Sequence, residues 1–288
     1  MSQITQISKI TRTVYGARIQ NMQYSGLPYS HVPNTTLNEK FNIHPGVVPD
    51  NNAIPHTRYF AIGNRGHENR TGADGQPYTV PRKHDPQDAA LYGHLPFVLR
   101  RPSEDLLPNE RMNYAMRRFE TIEGQTYVAY YLKRLDLGSV SPNMLINTTV
   151  DGVTTSLPFV PTGANLNPVP GPIPPEGVVS TDGVTISSSS ILELGFTERD
   201  VSEFMDAINI LYENPYYGVI SEIALVAGAD KVVPLLNPDG SSSGQFNEVV
   251  AATVMTHVCD YYPVAFANRG FDFNLNVGAA EPLFSVTP

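Results

Sequence analysis

ALYGHLPFVLRRPSEDLLPNERMNYAMRRFETIEGQTYVAYYLKRLDL, residues 90–137, holds the densest run of large apolar and aromatic side chains in the chain, together with much of its positive charge. Its last part, TYVAYYLKRLDL, is rich in β-branched and aromatic residues and reads as a strand. Tyr127, Ala129, Tyr131 and Lys133 fall on one face, and Val128, Tyr130, Leu132 and Arg134 on the other. Both faces carry apolar groups, so the strand is expected to be covered on both sides. Upstream, Leu95, Phe97 and Leu99 alternate with Pro96, Val98 and Arg100, which predicts a shorter strand ended by Pro102. Between the two, PNERMNYAMRRF reads as one or two helical turns started by Pro108. Arg100, Arg101, Arg111, Arg117 and Arg118 place five guanidinium groups within nineteen positions.

Working outward, composition sets the class. The 288 residues suffice for one large β-rich domain or two smaller ones. Only 16% of residues are charged, while 25 Pro and 22 Gly punctuate the chain. Low charge argues against generic disorder, and frequent Pro and Gly argue against a helical protein. The fold expected is therefore mainly β with few helices (α+β). It consists of antiparallel sheets or a sandwich, a long extended N-terminal arm, and a C-terminal region with a helix on a sheet.

The chain divides on this reading into four segments: an extended, turn-rich arm over 1–86, a β-rich core over 87–160, a Pro-rich linker over 161–177, and an α+β domain over 178–288. Ile4, Ile7 and Ile10 have helical spacing, but their Thr and Ile surroundings favour an extended segment. From Gly26 to Pro86 one turn signal follows another, too long a stretch for a loop inside a compact domain. Yet Tyr15, Tyr24, Tyr29, Phe41, Tyr59 and Phe60 lie in or next to it, and a solvated linker has no use for them. The expectation is an arm laid on another surface, with these aromatics as subunit-interface candidates.

Two hairpins are predicted, one turning on Asp151-Gly152 and one on Asp182-Gly183. PTGANLNPVPGPIPPEG between them reads as a polyproline linker. The clearest helix follows. Thr197 caps it with Asp200 three positions on, and Val201, Phe204, Met205, Ile208, Leu211 and Tyr212 form one apolar stripe ended by Asn214-Pro215. YYGVISEIALVAG, with Glu222 buried or at an edge, FNEVVAATVMTHVCDYYPVAF and FDFNLNV complete an antiparallel set, with Phe271, Phe273, Leu275 and Val277 pointing inward.

The net charge of −9 disfavours a nucleic-acid partner bound through the overall field. Cys259 is the single cysteine, so neither an internal disulfide nor a cysteine zinc site is expected, and a reducing cytoplasm suits the chain. The start of the chain has no apolar secretory segment, and no run of 18 apolar residues implies a membrane partner.

Neither metal nor cofactor is expected: the seven histidines show no H-x-x-x-H spacing, and His84-Asp85 equally begins a turn with Pro86. No G-x-S-x-G, P-loop or G-x-G-x-x-G occurs, and no catalytic residue is proposed. Paired carboxylates at Glu104-Asp105 and Glu198-Asp200 sit beside helix starts, where they meet the helix dipole.

GADGQP, HDPQDAALYGHLPFVLR and GQTYVAYYLKRLDL, within residues 71–137, resemble pieces of structural proteins from the virions of large contractile-tailed bacteriophages. SEIALVAG and the Pro-rich connector belong to the same likeness. The resemblance implies a non-enzymatic virion subunit, assembled in the host cytoplasm into a ring at the neck or baseplate. Its partners would be copies of itself and other virion structural proteins. Alternatives are a capsid decoration protein and a receptor- or glycan-binding tail module, which needs exposed aromatics gathered at loops. For the arginines, the carboxylates of Glu104, Asp105, Glu110 and Glu120 offer a local ion-pair network. The sharper alternative sends Arg117 and Arg118 to an acidic face of the next subunit, and contact with DNA in transit is the third.

Overall fold

The computed structural model describes residues 9–167, 184–264 and 269–282. About half of the chain is strand, arranged in antiparallel sheets, and the described residues include four α-helices, so the fold is mainly β. In chain order the first elements are β1 (Lys9–Arg12), α1 (Val14–Ser25), α2 (Leu37–Phe41), β2 (His56–Gly63), β3 (His67–Thr71) and β4 (Pro77–Pro81). After them come β5 (His94–Leu95), β6 (Val98–Arg100), α3 (Pro108–Arg111), β7 (Tyr114–Ile122), β8 (Gln125–Arg134), β9 (Asn143–Val150) and β10 (Val153–Pro158). β11 (Val184–Phe196), α4 (Glu198–Tyr212), β12 (Val219–Leu236), β13 (Ser242–Pro263) and β14 (Phe271–Pro282) close the order.

The chain falls into two compact units, and their boundaries differ from the four segments read from sequence. The first takes Met1–Leu135 and Gly195–Phe271, the second Asp136–Leu194 and Asp272–Pro288. Residues 9–86 are therefore no extended arm but part of the first unit. β2 is a central strand of the eight-stranded sheet of the first unit, ordered β1-β13-β12-β2-β8-β6 with β5 on β2 and β7 on β8. Tyr59 and Phe60, expected at a subunit interface, are fully buried there. Tyr59 donates to Asp230 at 2.8 Å, and Phe60 meets Phe97 edge to face. Tyr29 is buried in a cluster with Ile19, Met22 and Met255, and Phe41 packs on the neighbouring core. Tyr15 is half-buried and donates to the Gln87 carbonyl; of the six, Tyr24 alone stands out in solvent.

Helix α1 was not expected. Its apolar positions make no clear stripe, and only its ends mark it: the Thr13 side chain accepts from Gly16 N, and Gly26 takes the left-handed conformation beyond the last turn. α2 carries a full capping box between Thr36 and Glu39. Its Asn38 has a structural task. Ala251 sits at φ 53° where β13 bulges, and the Asn38 amide takes up the backbone groups this frees. Asn38 Nδ2 donates to Val249 O and Ala252 N donates to Asn38 Oδ1, each at 2.8 Å.

The deciding stretch contains β5, β6, α3, β7 and β8. Val128 to Leu132 are buried on both faces, as their composition predicts. The helical reading holds for Pro108–Arg111 alone; YAMRRFETI is instead β7, paired with β8 through a two-residue turn. Glu123 and Gly124 both have positive φ in that turn, and Asp151 and Gly152 do the same between β9 and β10. Helix α4 forms where its stripe places it, with the Thr197–Asp200 capping box and Phe204 and Ile208 buried.

The second unit holds a four-stranded sheet ordered β10-β9-β11-β14. Phe273, Leu275 and Val277 alternate as half-buried positions with exposed Asp272, Asn274 and Asn276, as read from sequence. The hairpin expected at Asp182-Gly183 and most of the Pro-rich segment lie outside the described residues.

Candidate functional site

The five arginines of residues 100–118 have different fates. Arg100 from β6 forms a two-point pair with Glu203 on α4 through Nε and Nη2, and its Nε donates at 2.9 Å. Arg117 Nη2 donates to Asp105 Oδ2 at 2.9 Å, while Tyr130 donates its hydroxyl to Asp105 Oδ1 at 2.6 Å. Arg111 adds bonds to the Leu106 carbonyl and to the Tyr130 hydroxyl. Arg118 grips Glu120 and lies over the Phe41 ring, and Tyr131 donates to the same Glu120 at 2.6 Å. Four of the five are thus engaged inside their own unit. Two of their carboxylate partners, Asp105 and Glu120, are near in sequence, whereas Glu203 is a hundred residues away. Arg101 is exposed and has no ion pair among the described residues.

Two buried carboxyl groups were not predicted as sites. Glu222 on β12 is 1% exposed and receives four donors. Arg65 N and Gly93 N reach Oε1 at 2.9 and 3.0 Å; Tyr92 N and His84 Nε2 reach Oε2 at 2.7 and 3.1 Å. The other His84 nitrogen meets Asp88 Oδ2 at 2.8 Å, and the imidazole is sandwiched between the rings of Tyr92 and His257 at 4.0 and 3.8 Å. Burial pushes the His84 pKa down, but its bonds to Glu222 and Asp88 outweigh this and hold it above the ordinary histidine value.

This acid–imidazole–acid arrangement has the residue types of a catalytic relay, but only its Asp88 end reaches solvent, while His84 and Glu222 are closed off. Both ring nitrogens are occupied, and no substrate atom can approach a side chain with no exposed surface. Nearby Cys259 is also buried, and burial with the Glu222 and Asp260 charges pushes its thiol up to about 12, far from a nucleophile. The cluster works as a clamp: it ties β12 to the loops at 64–66 and 92–93. Gly66 permits the close approach, since a Cβ there would stand 2.2 Å from the Ser221 carbonyl.

The second carboxyl, Glu248 on β13, accepts from Arg117 N at 2.8 Å, with His44 Nε2 3.9 Å away. Burial pushes its pKa up to about 8 against the Arg117 and Arg134 charges. Among the described residues no group of three or more His, Cys, Asp or Glu side chains is arranged to hold a metal ion, and no helix is long and apolar enough to cross a membrane.

The surface that stands out lies on the sheet of the second unit. Residues facing each other across antiparallel strands share a side, so register separates two faces. On one, Asn147 donates to Ser187 and Thr185 and accepts from Ser156, and Thr149 bonds Thr154. The other gathers Val153 opposite Val150, and Leu157 opposite Ile146 opposite Ile186, with Met144 on the same side. Of these, Val150, Val153 and Leu157 are 62%, 69% and 63% exposed. β10 is an edge strand exposed along its whole length, and residues 143–160 contain one charged side chain, Asp151. The sequence showed the hairpin but gave no sign of which side would stay uncovered.

A family model described as a family of unknown function, DUF7208, matches residues 1–287, so the chain belongs to that family. No curated protein and no solved structure matches the chain.

Proposed function

We propose that this DUF7208 chain is a non-enzymatic structural subunit of a tailed-phage virion, assembling with copies of itself into a ring at the neck or baseplate. The observation that carries the reading is the apolar side of the β9–β10 hairpin. Val153 and Leu157 stand mostly in water on the edge strand β10, with Val150 beside them on β9, and β10 has neither a charge nor a proline before Pro158 to blunt it. An isolated soluble subunit keeps such an edge as a pairing and aggregation hazard; an assembly subunit uses it.

The occupant proposed is a neighbouring copy. The apolar side of the hairpin offers no charge for an ionic partner, its one charged residue being Asp151 at the turn, and the matching surface must itself be apolar and neutral. A patch that meets a different patch on the next copy generates a ring when the rotation closes. Two further observations support the reading. The most conspicuous cations are spent on internal pairs, and the imidazole clamp stiffens the fold without presenting a reactive atom.

The test is sedimentation velocity on the full chain and on a Val153→Asp, Leu157→Asp double variant. The wild type is expected to form a discrete oligomer, and the variant to remain monomeric with an unchanged far-UV spectrum. Equal assembly by both proteins would remove the hairpin from the interface.

A further inference from the structure

A cleft of about 460 Å³ opens in the first unit, lined by Tyr212, Tyr216, Tyr217, Tyr261, Arg65 and Arg82 among others. Four tyrosines converge there from three places in the chain: the end of α4, the NPYYG turn that follows it, and the end of β13. Tyr212 stacks on Tyr217 at 4.8 Å, while Tyr216 and Tyr217 remain 76% and 51% exposed.

Its cations differ from those of the arginine-rich sheet, which are mostly paired. Arg100, Arg111, Arg117, Arg118 and Arg134 are all committed to carboxylates. Arg65 and Arg82 are exposed and have no ion pair among the described residues, in a chain with nine more acidic than basic groups. They are nevertheless held in place: Arg65 N is fixed by Glu222, and Arg82 N donates to Gly66 O at 2.7 Å.

The lining also contains polar atoms that the protein leaves without a partner. Asn64 is buried with its Oδ1 unbonded, and His67 Nδ1 is buried and unbonded as well. Burial and the Arg82 charge hold the His67 imidazole below its usual pKa, so the positive charge of the cleft comes from the two arginines. Buried polar atoms without partners are uncommon, and two of them belong to residues that line this one cleft.

We propose that this cleft binds a carboxylate-bearing saccharide. Arg65 and Arg82 meet the carboxylate, a tyrosine ring lies against the C–H face of the sugar, and Asn69 takes a hydroxyl at the rim. A planar guanidinium matches a carboxylate in two-point geometry, and an aromatic wall with neutral polar groups at its rim suits a ring that is apolar above and hydroxylated at its edge. A nucleotide suits it less well. Among the described residues that line it, the cleft has no N-terminus of an α-helix to hold phosphate.

The experiment is isothermal titration calorimetry on the full chain. The probes are a galacturonate trimer, 3′-sialyllactose, a neutral trisaccharide and uridine monophosphate. At least one acidic sugar is expected to bind with a Kd of about 1 mM or tighter, and the neutral trisaccharide about tenfold more weakly. Arg82→Gln should weaken the acidic sugar about tenfold, and Tyr216→Ala several-fold, with thermal unfolding unchanged because both side chains are exposed. Lack of binding by both acidic sugars overturns the proposal. So does tighter binding of uridine monophosphate, or acidic-sugar binding that neither substitution alters. The Asp variants of the hairpin should bind the sugar normally, which separates this proposal from the assembly reading.

Discussion

Glu222→Gln is the substitution that most sharply probes why the first unit holds together. Each carboxyl oxygen accepts two hydrogen bonds, and an amide can keep only one oxygen. With the new NH₂ at the Oε1 position, the Arg65 and Gly93 N–H groups both face a donor. The reverse orientation is less costly. His84 can lose a proton and accept from the amide through Nε2, but Tyr92 N still loses its acceptor. One orphaned buried donor costs about 1–3 kcal/mol, and exchanging a charge-assisted bond for a neutral one adds to this.

The net loss expected is therefore about 3 kcal/mol, near the lower end for breaking a buried ion pair. The assay is urea unfolding followed by circular dichroism, where this loss lowers the midpoint by roughly 1 M for a slope near 3 kcal/mol/M. A loss below about 1 kcal/mol would refute the clamp, because at least one of the four donors would then have another acceptor.

Two other predictions concern the β13 side of the sheet. Glu248 has its folded pKa raised to about 8 from an ordinary 4.5, so the folded state holds a proton that the unfolded chain has lost between those values. Stability from this group is whole below about pH 4.5 and is lost as pH rises through 8, by up to about 5 kcal/mol. Glu248→Gln should thus be more stable than wild type at pH 8.5 and closely matched at pH 4.5; a gain that is equal at both pH values would contradict the burial argument. Asn38→Ala leaves the Val249 carbonyl and the Ala252 N–H at the β13 bulge without partners and should cost about 2–5 kcal/mol in the same urea assay. Retention of wild-type stability would mean that the bulge relaxes into an ordinary ladder.

The parts of the fold that were legible in the sequence are those whose signals are local. Helix α4 carries stripe, cap and terminator within twenty residues; Asp151-Gly152 sets one hairpin, and strict alternation marks β14. β7 was misread because NERMNYAMRRF has good helix formers, while Glu123-Gly124, the turn that makes it a hairpin partner of β8, is a weaker signal than Asn-Gly or Asp-Gly. β2 lay hidden among prolines, and its burial comes from β12 and β8, far away in the chain. The same distance conceals the polar sites. His84 meets Glu222 across 138 residues and Arg100 meets Glu203 across 103, and no spacing rule reaches so far. The tyrosines of the cleft look dispersed in sequence because a helix end, a turn and a strand end supply them separately.

Hydrogen exchange on the full chain, comparing dilute subunit with concentrated assembly, shows whether the hairpin is where copies meet. Assembly should slow exchange across residues 143–158, most strongly along β10, and leave the buried strands around Glu222 unchanged. An oligomer that protects another surface while β10 exchanges as freely as in the monomer would contradict this, as would a chain that stays monomeric at every concentration.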